Sequence, residues 1–453
     1  MTESTNPTRR DAMKDAGKFA AVAAVAGGMA AGVHAAGNDT IQIALIGCGG
    51  RGTGAAENAL LTRQGPTKLV AMADVFEDKQ AKSFKFISSK VPNQVEVPRE
   101  RQFIGFDAYK KAIDCLKPGD IAIMATPPAF RWVQFKYAIE KGVHVFMEKP
   151  LTVDGPTSRK MFALSDDADK KGIKVAVGLM CRHSRVRQEM RDRIQKGEIG
   201  EITMLRAYRM QGIIGSCFTP KYEDNKMSEL LYQIRNFHSF LWASGGAYSD
   251  FLIHNIDECS MMKDAWPVEA RASGGRHFRG NNVDQNFDSY SVEYTFADGA
   301  KLFLEGRNIP GCQQEFASFV HGTRGSGVIS EKGHSAAGRL YKGQDITQKP
   351  LWDSGGTEAV PYQLEWEDFM EAIRHNKPYN EVKRGTEASL VTSMGRMAAH
   401  TGQVITRDDI LNSDHEFAPE IEHLTMESAA PIVMGADGKY PIPQPGSKKK
   451  REF

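Results

Sequence analysis

IQIALIGCGGRGTGAAENALLTR, residues 41–63, with KLVAMAD close behind at 68–74, is the stretch on which the fold turns. IQIALIG is a short apolar run of strand type, and it leads directly into a glycine turn that fits G-x-G-x-x-G through Gly47, Gly49 and Gly52. The turn is followed by the helix-like TGAAENALLTR and then by a second apolar strand closing on Asp74. A strand before, a helix after and an acid about 20 residues on form the βαβ context that gives this otherwise weak motif its meaning. Gly47 permits the tight turn, Gly49 lets the backbone approach a pyrophosphate, and Gly52 allows close helix packing, with the anion held at the helix amino terminus. Gly50 and Arg51 lie between these glycines and join the cofactor-contacting set. Asp74 is expected to accept hydrogen bonds from the adenosine ribose hydroxyls, and its charge repels a 2′-phosphate, so NAD is favoured over NADP.

The same alternation continues outward. DIAIMATPP (120–128) reads as a buried strand ending in a Pro-rich turn, FRWVQFKYAIEKG as a helix with a glycine stop, and VHVFM as the next strand. Ligands of such parallel sheets sit just beyond the carboxyl ends of the strands. Thr126, Pro127, Glu148 and Lys149 are therefore expected to face the cofactor crevice, and the charges of HVFMEKPL (144–151) face a polar pocket instead of interrupting a core.

Past residue 200 the pattern changes. GEITMLRAYRM (200–210) and YSVEYTFADGAKLFLEGR (290–307) alternate as strands, the second being a hairpin that turns at Asp298-Gly299. Helices near 156–171 and 184–196 are expected to pack on this sheet, the segment 211–244 to lie over the pocket, and the chain beyond about residue 404 to wrap or fray. The fold class is α/β: an amino-terminal doubly wound parallel sheet of Rossmann type, then an α+β domain with a large, mostly antiparallel open sheet. The divisions are 38–155 for the nucleotide domain, 156–410 for the substrate domain and 411–453 for a carboxyl-terminal extension.

G-x-G-x-x-G after the first strand, an acidic end to the second, TPP after a later strand and then EKP together resemble the glucose-fructose oxidoreductase, inositol dehydrogenase and MocA family. GGAYSDFLIHNID (245–257) is similar to that family's G-G-x-x-x-D-x-x-x-H-x-x-D segment, and 379–403 resembles its closing helices. The resemblance implies that Lys149 is the catalytic lysine and that Asp250 and His254 are the acid and histidine of the second motif. It further implies that Lys149-Pro150 is a cis bond, that Glu148 lies beside the nicotinamide, and that the substrate is a sugar, glycoside or cyclitol. A homodimer or tetramer through the open sheet is a further expectation. Two departures stand out: Arg131 lies near where relatives place a histidine, and Leu252 replaces a frequent glycine.

The chemistry agrees. Oxidation of a secondary alcohol needs a base for the hydroxyl proton and a positive group near the developing alkoxide. Lys149 and His254 are the candidates, either of them able to accept the proton, with His254 favoured. Asp250 precedes His254 by one helical turn, where it is expected to orient the imidazole and favour its protonated form. Asp257 is expected to be a structural hydrogen-bonding partner. Arg182 and His183, after the strand IKVAVGLM, are candidate substrate contacts.

With 453 residues the chain is long enough for two domains, since single cores stop growing near ~250–300 residues. A net charge of +2 supplies no field that implies nucleic acid, and KKKREF reads as a solvated tail. The six cysteines show no paired spacing, which argues against a zinc site or a disulfide framework, and no metal is expected. The amino terminus is distinctive: TRRDAMK (8–14), the apolar run KFAAVAAVAGGMAAGV and small residues around Ala35 read as a twin-arginine export signal over residues 1–37. The run is too short and too weakly apolar for a comfortable membrane span. Export to the periplasm by the twin-arginine machinery implies a tightly bound NAD that is recycled in each turnover. Two schemes satisfy that condition, a sugar oxidoreductase and a redox-neutral glycosidase of the same fold. A noncatalytic NAD-binding protein is the third alternative.

Overall fold

Six short strands run parallel: β1 (Ile41–Ile46), β2 (Thr67–Asp74), β3 (Gln102–Ile104), β4 (Ile121–Met124), β5 (His144–Met147) and β6 (Val175–Val177). The computed structural model describes residues 39–223, 226–356, 358–446 and 450–452, and the export signal expected over 1–37 lies outside the described residues. The order β3-β2-β1-β4-β5-β6 is doubly wound, with its reversal between β1 and β4. Both faces are covered, and β1 shows how: Ala44 and Ile46 enter one apolar cluster, whereas Ile43 and Leu45 enter the other. β4 and β5 are buried along their whole length, as strands with two covered faces must be.

The first sheet continues past the boundary expected at residue 155. β6 pairs with β5 through Val145–Val175, so 156–177 serves the parallel sheet by crossing over it as the helix Gly155–Lys170. A later element also returns to this layer. The helix Tyr362–Arg374 lays Trp366 on Phe146, with ring centroids 4.4 Å apart, and closes the cluster on the outer face.

The second sheet has nine strands: β7 (Ile202–Gln211), β8 (Glu269–Gly275), β9 (Ser289–Thr295), β10 (Lys301–Asn308), β11 (Glu315–Gly322), β12 (Gly325–Lys332), β13 (Ser335–Lys342), β14 (Trp352–Asp353) and β15 (Ile405–Thr406). Their order is β14-β13-β12-β11-β7-β10-β9-β8-β15, and every pairing is antiparallel except β7 with β10. The β9–β10 hairpin turns at Asp298-Gly299, with Gly299 in the left-handed region. The helices Gly246–Lys263 and Val382–Thr401 share the apolar core of this sheet, and Leu252 fills space against Gly306 within it. The chain end wraps: Tyr440 donates to Glu229, and Glu452 is buried against Arg396 and His400. Among the described residues no helix is long and apolar enough to cross a membrane.

Candidate active site

Gly47 ends β1 at a φ of +90°, and a Cβ there would fall 2.6 Å from backbone atoms of Ala125 and Thr126. A Cβ on Gly52 would lie 2.0 Å from the Gly47 carbonyl oxygen, so the first helix can sit this close to the turn only without one. Gly49 differs, because a Cβ there meets nothing within 4 Å. Its bareness answers no contact among the described residues; it leaves room for a group outside the chain. The helix Gly50–Leu60 begins immediately after, without a side-chain cap, as an anion site requires. At the end of β2, Asp74 accepts from the Cys48 amide at 2.6 Å and the Phe76 amide at 2.9 Å, which fixes the carboxylate at the rim of a cleft beside Val75, Phe76 and Phe106. Burial pushes its pKa up. Thr126 and Pro127 line the opposite wall, and Lys79 also reaches the cleft. These features fit the adenosine and pyrophosphate parts of a dinucleotide.

A second cleft continues the first, sharing Gly49, Ala125 and Thr126. Lys149, from the end of β5, donates to the Asp250 carbonyl at 2.7 Å and lies 3.5 Å from Asp250 Oδ2. The Lys149-Pro150 bond is cis. Glu148 accepts from Arg51 Nε at 3.0 Å and Nη2 at 2.7 Å, while the guanidinium stacks 4.2 Å from the Tyr362 ring centroid. Gly178 makes room for Glu148, since a Cβ there would lie 2.8 Å from Oε2. Lys149, Asp250, His254, Glu148 and Arg51, far apart in sequence, thus converge on one cleft.

Asp250 and His254 share the helix Gly246–Lys263, but the carboxylate does not serve the imidazole. Asp250 Oδ2 lies 3.3 Å from His238 Nε2 and is also turned toward Lys149. Burial would raise the Asp250 pKa, yet the Lys149 charge and the His238 bond hold it at about 2. Burial, then His334, Lys149 and Arg209, holds His254 well below the usual imidazole range, so it is neutral, contrary to the expectation that Asp250 favours its protonated form. One-turn spacing put both residues on one side of the helix; a lysine and a histidine from other segments then claimed the acid.

Arg182 and His183 are not among the residues lining the cleft. The turn Met180–His183 directs them into buried acids: Arg182 Nε donates to Asp257 at 2.7 Å, which gives Asp257 its expected structural role. His183 Nδ1 lies 2.8 Å from Asp368, and its other ring nitrogen lies 3.4 Å from Glu381. Residues that spacing did not single out take their place. His238 rings the cleft between Phe237 and Phe251. Arg209 stacks 3.6 Å from the Phe316 ring centroid with Nε and Nη1 buried and without a partner among the described residues, and burial pushes its pKa down to about 10. It stands at the apolar parity of β7, with Leu205 and Ala207. A cation in that register is a readable signal of a polar pocket above the strand. Arg131 donates to the Met124 and Thr126 carbonyls and forms part of the cleft floor.

Residues 41–179 match the oxidoreductase family with an NAD-binding Rossmann fold, and residues 187–328 match the GFO/IDH/MocA C-terminal domain. The chain is 25% identical over 342 residues to the scyllo-inositol 2-dehydrogenase (NAD(+)) of Bacillus subtilis (strain 168), covering 74% of this chain and 87% of that protein. Its fold is shared with the scyllo-inositol dehydrogenase from Lactobacillus casei with bound NAD(H) and scyllo-inositol (17% identity, TM-score 0.59, 82% of this chain and 100% of that one). It is shared too with the aldose-aldose oxidoreductase from Caulobacter crescentus complexed with glycerol (17% identity, TM-score 0.60, 81% and 100%). Taken with the glycine turn, Asp74 and the sheet order, these matches establish that the chain belongs to the GFO/IDH/MocA family of NAD-binding oxidoreductases.

Proposed function

We propose that this protein oxidises a secondary hydroxyl of a cyclitol, sugar or glycoside with NAD held in the double cleft. The observation that carries this reading is the convergence of Lys149, Asp250 and His254 on a cleft continuous with the one rimmed by Asp74. Bound NAD supplies the hydride acceptor. His254 lines the cleft with no carboxylate partner among the described residues, and is positioned to take the hydroxyl proton. Lys149, oriented by Asp250, presents its cation to the oxygen that proton leaves, where a preorganised charge counts most. Arg209 offers unpartnered donors to other hydroxyls, and Arg51 and Glu148 orient one another beside the turn. The relatives named for scyllo-inositol favour a cyclitol within this class.

Export through the Arg9-Arg10 signal and retention of the cofactor belong to the same reading. The deciding experiment incubates the purified chain with cyclitols and aldoses and follows absorbance of reduced nicotinamide, before and after adding NAD. Oxidation without added NAD supports a resident cofactor. No oxidation of any polyol, with or without NAD, overturns the proposal.

A redox-neutral glycosidase is the second reading, and His238 favours it. Elimination next to a transient ketone needs a second base, and His238 faces the cleft against Asp250. Release of aglycone from aryl glycosides without added NAD would select it.

A further inference from the structure

Three residues that no spacing rule connects meet at the wall of the cleft. Cys181 lies on the turn after β6, His254 in the middle of the helix Gly246–Lys263, and His334 at the bend between β12 and β13. Each offers one ligand atom, and these atoms lie within 4.8 Å of one another. The His254 and His334 rings meet edge to face at 4.5 Å between centroids, and Phe316 walls the far side of His334 at 4.8 Å. Cys181 and His254 are buried, at 1% and 6% exposure. Among the described residues, the Nδ1 atoms of both histidines are buried without a hydrogen-bond partner, whereas buried ring nitrogens are ordinarily satisfied by protein or water. Two imidazoles, each with an unpartnered ring nitrogen, lie beside a thiol, and together they are the donor types of a soft cation.

We propose that Cys181, His254 and His334 form a binding site for a thiophilic divalent cation of the zinc class, whose remaining coordination position opens onto the catalytic cleft. One thiolate and two imidazoles suit zinc or cobalt, while magnesium and calcium prefer oxygen ligands. Three protein ligands with one position left open is the arrangement that lets an ion take an external ligand; four closed ligands would make it purely structural. His254 and His334 both line the cleft, so the open position faces the place of the substrate. A tetrahedral ion with bonds of about 2.0–2.3 Å separates neighbouring donors by roughly 3.5 Å, so small side-chain rotations close the set. Binding exchanges the thiol proton for the metal, and that proton leaves to solvent. The cations of Lys149 and Arg209 stand nearby and oppose any ion there, so the site discriminates through the softness of its ligands more than through charge.

The ion would occupy a lone pair of His254. If His254 is the proton acceptor of the proposed oxidation, bound zinc suppresses turnover; this consequence rests on that reading, whereas the site does not.

The test uses the full-length protein stripped with a chelator and titrated with cobalt(II). The expected result is one ion per chain, with intense tetrahedral ligand-field bands and a near-ultraviolet thiolate-to-cobalt band. Cys181→Ser should abolish the thiolate band, and His334→Asn should weaken cobalt binding by roughly tenfold or more, with circular dichroism and melting confirming that both variants fold. Absence of the thiolate band in the wild type, or its persistence in C181S, overturns the site. Turnover separates this result from the proposed function. Zinc should inhibit polyol oxidation by the wild type, and C181S should require roughly tenfold more zinc relative to its own metal-free rate. Metal-free protein that oxidises polyols but shows no thiolate band rejects the site and leaves the oxidoreductase standing. Cobalt bound with its thiolate band, together with turnover that zinc leaves unchanged or raises, keeps the site and removes His254 from the proton-accepting role.

Discussion

Lys149 Nζ sits 3.5 Å from Asp250 Oδ2 and donates to the Asp250 carbonyl at 2.7 Å, so one residue of the second domain holds the lysine at the end of β5 through both its backbone and its side chain. Asp250 stays ionised although buried, because Lys149 and His238 share its charge. Lys149→Ala should therefore lower kcat/KM for polyol oxidation by about 100-fold or more, the scale of a lost acid–base or charge-stabilising group. Asp250→Asn should lower it too, because it removes the negative charge between Lys149 and His238 while leaving the backbone carbonyl that Lys149 donates to. NAD affinity, measured by quenching of protein fluorescence, should fall far less than turnover in either variant, since neither residue lines the Asp74 cleft proposed for the adenosine half. A variant that loses NAD and turnover in parallel would contradict this division of labour.

Gly49 and Gly52 belong to one motif but should fail in different ways. A side chain at Gly49 meets open space, so Gly49→Val should melt near the wild-type temperature while losing NAD binding. A side chain at Gly52 runs into the Gly47 carbonyl at 2.0 Å, so Gly52→Val should lose several degrees of Tm whether or not NAD is present. Thermal melts with and without NAD distinguish them: the ligand-induced rise should vanish in Gly49→Val from an unchanged baseline.

Asp74 is held by two backbone amides at the rim of the nucleotide cleft, and Lys79 lies in the same cleft. Replacing the acid by Ser should weaken NAD by roughly tenfold, the equivalent of a charged hydrogen bond, and should strengthen NADP because Lys79 then faces the 2′-phosphate unopposed. Dissociation constants for both nucleotides check this, and an unchanged NAD-to-NADP ratio would refute it.

Local chemistry was legible in the sequence wherever one segment carries it. The glycine turn, the acid ending β2, the strand ending in Glu148-Lys149 and the Asp298-Gly299 hairpin each depend on neighbours within a few residues. Partnership between segments was not legible. One-turn spacing placed Asp250 and His254 on the same helix but could not reveal that Lys149 and His238 would claim the carboxylate. Arg182 and His183 follow a β-strand at the end that faces ligand, yet the tight turn after β6 aims them at Asp257 and Asp368, acids from distant helices. The helix Tyr362–Arg374 carries its own apolar face, but nothing within it says that this face belongs to the first sheet.

Glu452 should matter to the helix Gly246–Lys263 although it is not among the residues that line the cleft. Glu452 accepts from Arg396 at 2.8 and 3.1 Å and lies 2.6 Å from His400 Nδ1, all three buried. Arg396 in turn donates to the Gly245 carbonyl and Ser249 Oγ, at the start of the helix that carries Asp250 and His254. Removing the acid leaves a buried guanidinium short of its counter-charge, so Glu452→Gln should cost about 3 kcal/mol. Burial would raise the Glu452 pKa, but Arg396 and His400 hold it at about 2, below its ordinary 4.5. A depressed carboxyl contributes stability that is fully present above the unfolded value and disappears as pH falls through the folded one. The advantage of wild type over E452Q in guanidinium unfolding should therefore be full near pH 7 and should shrink steadily below about pH 4.5. An advantage that holds constant down to the acid limit would mean that Glu452 acts through packing alone, without its charge.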